Sequence, residues 1–364
     1  MNSGEPLLEV RNLNVCRGGS KVLQIPSFAL HRNETVALIG PNGTGKSSFL
    51  LALAGLLPLK TGEIFFMQKA VVPGFSSTEY RRNLAMVFQE PLLFDTSVAD
   101  NVAVGLRLRH LGRREIDERV KSCLDRFRIA HLADRSARKL SGGESQRTSL
   151  ARAFATNPEI ILLDEPFVAL DPPARQALSD DLERVLRESG TAAILTTHDQ
   201  VDALRLADRM VVMQQGSIVQ SGTPLAVNNQ PVNEFVATFV GMENIFTGIV
   251  KKADNGLFSV AVFDRTMEIM GDGAPSESVV ICIRPEHVVI SLTNPESTTS
   301  VRNIFSGTVS KVVQLGLFTK IYLDCGFSLV ASITNQSLDT LELKPGRPVF
   351  ASFKATAVHV FRKG

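Results

Sequence analysis

The sequence predicts a doubly wound α/β domain with a helical insertion, followed by a small all-β domain of the oligonucleotide/oligosaccharide-binding barrel type. Three observations carry this. The apolar runs Thr35–Ile39 (TVALI), Ile160–Leu163 (IILL) and Ala192–Thr197 (AAILTT) read as strands buried on both faces, the last two separated by the helix-like stretch 173–188. Between Val98 and Leu140 the apolar spacing is helical, with charged faces and few β-branched runs. From 243 to 361 short alternating strands are broken by Gly, Pro, Asn and Asp, and no long helix is expected.

Taken in order, residues 7–30 alternate in the β manner and are split by the turn Gly18-Gly19. After the strand 35–39 comes Gly40-Pro41-Asn42-Gly43-Thr44-Gly45-Lys46-Ser47, which fits G-x-x-x-x-G-K-[ST]. The apolar-faced stretch 48–54, opening on Ser48, then reads as a helix that stops at Gly55. Strand, glycine loop and helix is the context in which backbone N–H groups wrap a nucleotide's phosphates. Lys46 is expected at the β- and γ-phosphates and Ser47 on Mg²⁺. Residues 58–86 are less regular and lead to a strand at 84–88 that Gln89 ends. The strand 160–163 runs into Asp164 and Glu165. An Asp there can hold Mg²⁺ through water, and the Glu beside it can take a proton from an attacking water. The stretch 232–240 reads as a closing helix, so the first domain is expected to span 1–241 and the second 242–364.

Composition narrows the field. A chain of 364 residues is too long for one ordinary core, and 44% hydrophobic with 21% charged residues is a soluble globular balance. The net charge of +2 supplies no basic field for nucleic acid. Residues 106–140 hold eleven Arg and Lys against five acids, but at helical spacing, which reads as a solvated face. The four cysteines lie far apart without a C-x-x-C pair, as expected for reduced thiols in a cytosolic protein. No signal peptide is expected from MNSGEPLLEV, and no run of about 18 apolar residues is long enough to span a bilayer.

Leu140-Ser141-Gly142-Gly143-Glu144-Ser145-Gln146-Arg147 resembles the signature sequence of ATP-binding cassette (ABC) proteins. The surrounding domain is similar to theirs in order and spacing. Gln89 stands at the Q-loop, Ala169-Leu170-Asp171 at the D-loop, and His198 at the switch position. Locally, Ser141-x-x-Glu144 is also a capping box, and a capped helix start with two glycines is itself an anion site. The resemblance implies an ATPase that uses ATP and Mg²⁺, with two copies packed head to tail and ATP sandwiched between them. It implies that Ser141, Gly142, Gly143 and Glu144 meet the nucleotide of the partner copy, together with Asp171. Glu165 then polarises the water, His198 orients the γ-phosphate, and Gln89 senses Mg²⁺, which Ser47 and Asp164 also hold. Such proteins usually stack an aromatic on adenine about 25 residues before the glycine loop. Here that neighbourhood is Val15-Cys16-Arg17-Gly18, so either Arg17 stacks on the base or it is an exposed turn residue.

The second domain echoes itself. Glu243-Asn244-Ile245-Phe246-Thr247-Gly248 recurs as Arg302-Asn303-Ile304-Phe305-Ser306-Gly307, and residues 283–288 face 353–358 in the same order. Two related halves are expected, 243–292 and 300–361, the first the shorter. Ser300, Arg302, Thr334, Ser337 and Lys354 offer hydroxyls and positive charge with no carboxylate among them, which suits a tetrahedral dianion. Residues 300–361 resemble the molbindin-like domain behind the ATPase of molybdate importers, and the preceding half resembles the transport-associated barrel more generally. The resemblance implies a peripheral subunit on the cytoplasmic face of the membrane, working with an integral permease and indirectly with an external oxyanion-binding protein. It implies molybdate or tungstate as cargo, with feedback by bound oxyanion. Sulfate, ferric iron or polyamine importers share the architecture, and a soluble oxyanion sensor is a further alternative. An ABC ATPase acting on DNA or ribosomes is disfavoured, because tandem cassettes and coiled-coil insertions are absent from the sequence.

Overall fold

The chain opens on two long antiparallel strands, β1 (Leu8–Arg17) and β2 (Ser20–Leu30), turned at Gly18 and Gly19 with both glycines at positive φ. Then come β3 (Thr35–Ile39), β4 (Thr61–Phe66), β5 (Lys69–Ala70), β6 (Leu84–Val87), β7 (Ile160–Asp164), β8 (Ala192–Thr197), β9 (Arg209–Gln214) and β10 (Ser217–Gly222). In the computed structural model, which describes residues 4–72, 75–168, 170–254, 256–295 and 300–362, these strands form two sheets. One is antiparallel, in the order β2-β1-β4-β5. The other runs β10-β9-β3-β8-β7-β6 and is parallel from β9 to β6, with β10 antiparallel at one edge. Every residue of β3, β7 and β8 is buried, as strands covered on both faces must be. Helix Lys46–Leu53 packs Phe49, Leu50 and Leu53 into the core shared by the two sheets, where Phe28 meets Phe49 edge-on. Such a ring is worth about 3–5 kcal/mol against alanine.

The helical insertion is present as helices Val98–Arg107, Arg113–Arg126 and Gly142–Ala155. Helix Pro172–Ser189 lies between β7 and β8, capped by Asp171 through the Ala174 amide at 2.9 Å and ended by Gly190 in the left-handed region. Because β3, β6, β7 and β8 are parallel, their C-terminal ends share one edge of the sheet. Gly40, Gln89, Glu165 and His198 each follow one of those ends, where an open α/β sheet places its ligand. Two hairpins that the sequence reading left out complete this domain: β4–β5 and β9–β10.

The chain divides into units Met1–Val227 and Asn228–Gly364. The boundary therefore falls before the helix Glu234–Phe239, not after it at 241 as expected. Contacts within the second unit explain this. Arg284 donates to the carbonyls of Val240 at 2.9 Å and Asn228 at 2.5 Å, and the His359 ring meets the Pro231 carbonyl at 2.8 Å.

The second unit holds β11 (Asn244–Asp254), β12 (Leu257–Val262), β13 (Arg265–Met270), β14 (Ser278–Ile283), β15 (Val289–Ser291), β16 (Asn303–Gln314), β17 (Phe318–Asp324), β18 (Ser328–Thr334), β19 (Pro348–Phe353) and β20 (Val358–Arg362). They form sheets in the orders β13-β12-β11-β14-β20 and β15-β19-β16-β17-β18. The echo in the sequence is thus an echo in space. β11 pairs with β14 from Asn244 against Ile283, as β16 pairs with β19 from Asn303 against Phe353. Both long strands bulge at the same place, between Val250 and Lys252 and between Val309 and Lys311. At Gly248 and Gly307 an added Cβ would lie 2.5 Å from the Val260 side chain and 2.6 Å from the Asp324 carbonyl, so glycine is required by close approach. The halves exchange their last strands: β15 joins the sheet of the second and β20 the sheet of the first. One apolar core, including Val260, Ile281, Phe305, Ile321 and Phe353, serves both. The first half is the shorter, as expected: 271–277 stands where the second has helix Asn335–Thr340.

Candidate active site

The glycine loop is built for phosphate. Gly40, Gly43 and Gly45 all lie at positive φ, and a side chain at Gly40 would strike the Met213 carbonyl at 2.5 Å. Gly45 ends the loop as the N-cap of helix Lys46–Leu53, so free amides face the same space as the helix's positive end. The Lys46 ammonium donates to the carbonyls of Gly40 at 2.7 Å and Pro41 at 3.1 Å, within the loop that it is to serve. Burial pushes its pKa down while the Glu165 and Asp164 carboxylates pull it up. Thr44 Oγ1 ties the loop to itself through the Pro41 carbonyl at 2.9 Å.

Across the cleft, Asp164 is buried at the end of β7 and accepts from Ser47 Oγ at 2.9 Å and Thr196 Oγ1 at 2.7 Å. Thr196 accepts in turn from the Glu165 amide at 2.9 Å. One buried hydroxyl therefore sets both acids, and Thr196 is a site residue that its two-acid neighbourhood alone did not single out. Glu165 has φ 44°, and its carboxylate lies 3.1 Å from His198 Nδ1. Gln89 is exposed just past β6 and lines the same cleft, of about 380 Å³, with Asn42, Ser47, Ser48, Glu165, Val168 and His198.

The structure also shows residues that the sequence reading missed. Val22, on β2, lines the cleft, whereas Arg17 is exposed at the end of β1 opposite Ser20 and is not among the lining residues. Gly216 wedges the β9–β10 turn behind the loop: its amide donates to the Thr44 carbonyl at 2.9 Å, and its own carbonyl accepts from the Gln24 amide at 2.8 Å.

The signature residues stand apart from the cleft within one chain. Ser141 caps helix Gly142–Ala155, accepting from the Glu144 amide at 3.3 Å, while the Glu144 carboxylate accepts from the Ser141 amide at 2.7 Å. That amide holds the Glu144 carboxyl below its usual range. Ser141 and Gly142 are exposed. Asp171 caps its own helix; Ala169 lies outside the described residues.

The five oxyanion candidates are not gathered into one place. Thr334 caps helix Asn335–Thr340, with its Oγ1 2.9 Å from Ser337 Oγ and 3.1 Å from the Ser337 amide. Thr334 pairs with Phe318, at the end of β17 nearest Gln314. Arg302 and Lys354 flank the Asn303–Phe353 pair at the opposite end of β16. Arg302 also has a carboxylate partner, Glu268 Oε2 at 3.1 Å, contrary to the acid-free set expected. Ser300 and Lys354 are exposed.

A phosphate loop facing an Asp–Glu pair and a histidine, at the C-terminal edge of a parallel sheet, defines a nucleotide-hydrolysing domain. Ser47 and Asp164 put hard oxygen donors together, which fits Mg²⁺. Comparison with known proteins carries this further. The ABC transporter family matches residues 23–168 and the TOBE domain matches residues 299–360. The molybdate/tungstate import ATP-binding protein WtpC of Pyrococcus abyssi is 37% identical over 340 residues, covering 92% of this chain and 94% of its own length. The spermidine/putrescine import ATP-binding protein PotA of Borreliella afzelii is 33% identical, covering 98% and 99%. The Fe(3+) ions import ATP-binding protein FbpC of Streptomyces avermitilis is 39% identical over 285 residues, covering 78% and 79%. Among solved structures, cbiO1 from Clostridium perfringens, part of an ABC transporter complex, is 31% identical with a TM-score of 0.58 over 62% of this chain and 91% of its own. The ATP-binding cassette MJ0796, a dimer in a post-hydrolysis state bound to ADP and Pi, is 26% identical with a TM-score of 0.55 over 60% and 98%. The chain belongs to the ABC transporter family: it is an import ATPase with a C-terminal TOBE domain, using ATP and Mg²⁺. Among the described residues no helix is long and apolar enough to cross a membrane.

Proposed function

We propose that this chain energises the import of molybdate or tungstate, with two copies packed head to tail on permease subunits at the cytoplasmic face of the membrane. Similarity to WtpC across both domains is the observation that carries the cargo. Magnesium supplies charge neutralisation at the transferring phosphoryl when bound by Ser47 and Asp164, with Gln89 beside it. Lys46 and the loop amides hold the phosphates. Glu165 takes the proton of the attacking water, and His198, on the Glu165 carboxylate, orients the γ-phosphate. Ser141, exposed on one copy, and Gly143 beside it complete the site of the other.

In the TOBE domain the Thr334–Ser337 hydroxyls and the Arg302–Lys354 charges lie at opposite ends of β16, so an oxyanion that engages both lies between two copies. Bound there, it favours one arrangement of the paired C-terminal domains and so reports internal supply to the ATPase. PotA and FbpC keep polyamine and ferric iron as the second reading, at 33% and 39% identity. Titrating the full chain by calorimetry with molybdate, tungstate, sulfate, spermidine and ferric citrate separates these. Heat from molybdate or tungstate that disappears in Ser337→Ala/Lys354→Ala supports the reading; binding of spermidine or iron alone overturns it.

A further inference from the structure

Helix Pro172–Ser189 carries two charged joints outside the nucleotide cleft. Near its start, Arg175 reaches the segment that follows His198. Its guanidinium lies 2.7 Å from Asp199 Oδ2 and 2.5 Å from Asp202 Oδ2. Asp202 is buried and also accepts from Thr197 Oγ1 at 3.3 Å. Six residues further along, about 9 Å at the helical rise, Asp181 is wholly buried. Its carboxylate meets Arg147 at 2.5 Å, Arg128 at 3.0 Å and Arg184 at 3.4 Å. Arg147 stands on the helix that Ser141 caps and donates also to the Phe127 carbonyl at 2.9 Å; Arg184 donates to the Arg126 carbonyl at 2.6 Å.

Charge-assisted contacts of this kind are directional, and a buried carboxylate that loses its partners is costly, so each joint has one stable geometry. The rod between them is a continuous helix, which does not let one end move without the other. Its N-cap is Asp171, so the D-loop rides on the same rod.

We propose that helix Pro172–Ser189 is a rigid link between the switch segment at His198 and the helix bearing Ser141–Glu144, with Arg175 and Asp181 as its positioning residues. The link rests on the roles given above to His198 and Ser141. A change at His198 on γ-phosphate binding or loss is carried through Asp199 and Asp202 to Arg175, along the helix, and through Asp181 and Arg147 to the signature. The site that a copy offers to its partner is thereby set by the phosphate state of its own site. Two independent ion pairs that merely stabilise the fold make a different prediction, because their losses add.

The test is a mutant cycle on the full chain with Arg175→Met, Asp181→Asn and the double variant, reading kcat for ATP and, with Mg²⁺ withheld, the dissociation constant of a fluorescent ATP analogue. Each single change is expected to lower kcat about tenfold and to leave that constant within about twofold. The double variant is expected to be no slower than the worse single. Arg175→Lys, which keeps the charge, recovers a large part of the loss. Multiplied losses in the double variant, or a fall in affinity that accounts for the fall in rate, overturn the link. Should Asp181→Asn not fold, Arg147→Lys takes its place in the cycle. Glu165→Gln measured alongside reports separately on the site assignment: wild-type hydrolysis there counts against that assignment, while the cycle still judges the link.

Discussion

The side chain of Asn244 takes both backbone groups of Val330. Its Oδ1 accepts from the Val330 amide at 2.6 Å, and its Nδ2 donates to the Val330 carbonyl at 2.9 Å. Asn303, its counterpart in the second half, does the same to Glu268 in the first, at 2.7 and 2.8 Å. Each half thus pins the third strand of the other through a buried amide that imitates a neighbouring strand. Asn244→Ala leaves those groups buried without partners and is expected to cost about 3 kcal/mol. Asn303→Ala, beside the more open Glu268, is expected to cost about half as much. Urea unfolding of the TOBE-domain transition measures both; an unmoved midpoint for Asn244→Ala contradicts the account.

Hydrolysis tests the acid at the end of β7. Glu165→Gln keeps the shape beside His198 but cannot accept the water's proton, so kcat is expected to fall by about a hundredfold or more with ATP still bound. Trapped ATP is expected to hold two copies together on a sizing column. Turnover at the wild-type rate would remove Glu165 from its role.

Nucleotide affinity distinguishes Val22 from Arg17. Val22 lines the cleft, so Val22→Ala is expected to weaken ATP binding by about 1 kcal/mol through lost apolar contact. Arg17→Ala is expected to change it by less than about twofold. A large loss in Arg17→Ala would restore the stacking alternative.

Acidity is expected to loosen the TOBE domain through His359. Burial pushes this imidazole below its ordinary value of 6.5, outweighing its hydrogen bond to the Pro231 carbonyl. The unfolded chain therefore binds the proton more readily than the folded one, and stability is lost as pH falls through the ordinary value. The melting temperature of this domain should drop between pH 7.5 and 5.5. His359→Gln, which can still donate to Pro231, should flatten that slope; an unchanged slope assigns the acid sensitivity elsewhere.

The elements legible in the sequence were those whose pattern has one cause. A strand buried on both faces is a plain apolar run, so β3, β7 and β8 could be read directly, and the glycine loop carries its own punctuation. The β4–β5 hairpin turns on Met67 and Gln68, both at positive φ without a glycine, so no turn signal marked it. The β9–β10 turn at Gln215-Gly216 did carry one, but its neighbour in space, Thr44, is far away in sequence. The same holds for Thr196 and Val22, whose place in the site is set by tertiary packing alone. Arg302 misled for a related reason: its carboxylate partner Glu268 comes from the other half. The domain boundary was misplaced because the apolar face of 232–240 does not say which core it covers.

The exchange of β15 and β20 governs how the TOBE domain is made on the ribosome. The segment 278–283 (SVVICI) emerges long before its outer neighbour, β20, and until then presents an open, greasy border to solvent. Neither half can be finished while the other is still being translated, so maturation waits for the last strand. A chain that stops before residue 358 leaves that border uncovered, an open strand edge of the kind that invites aggregation.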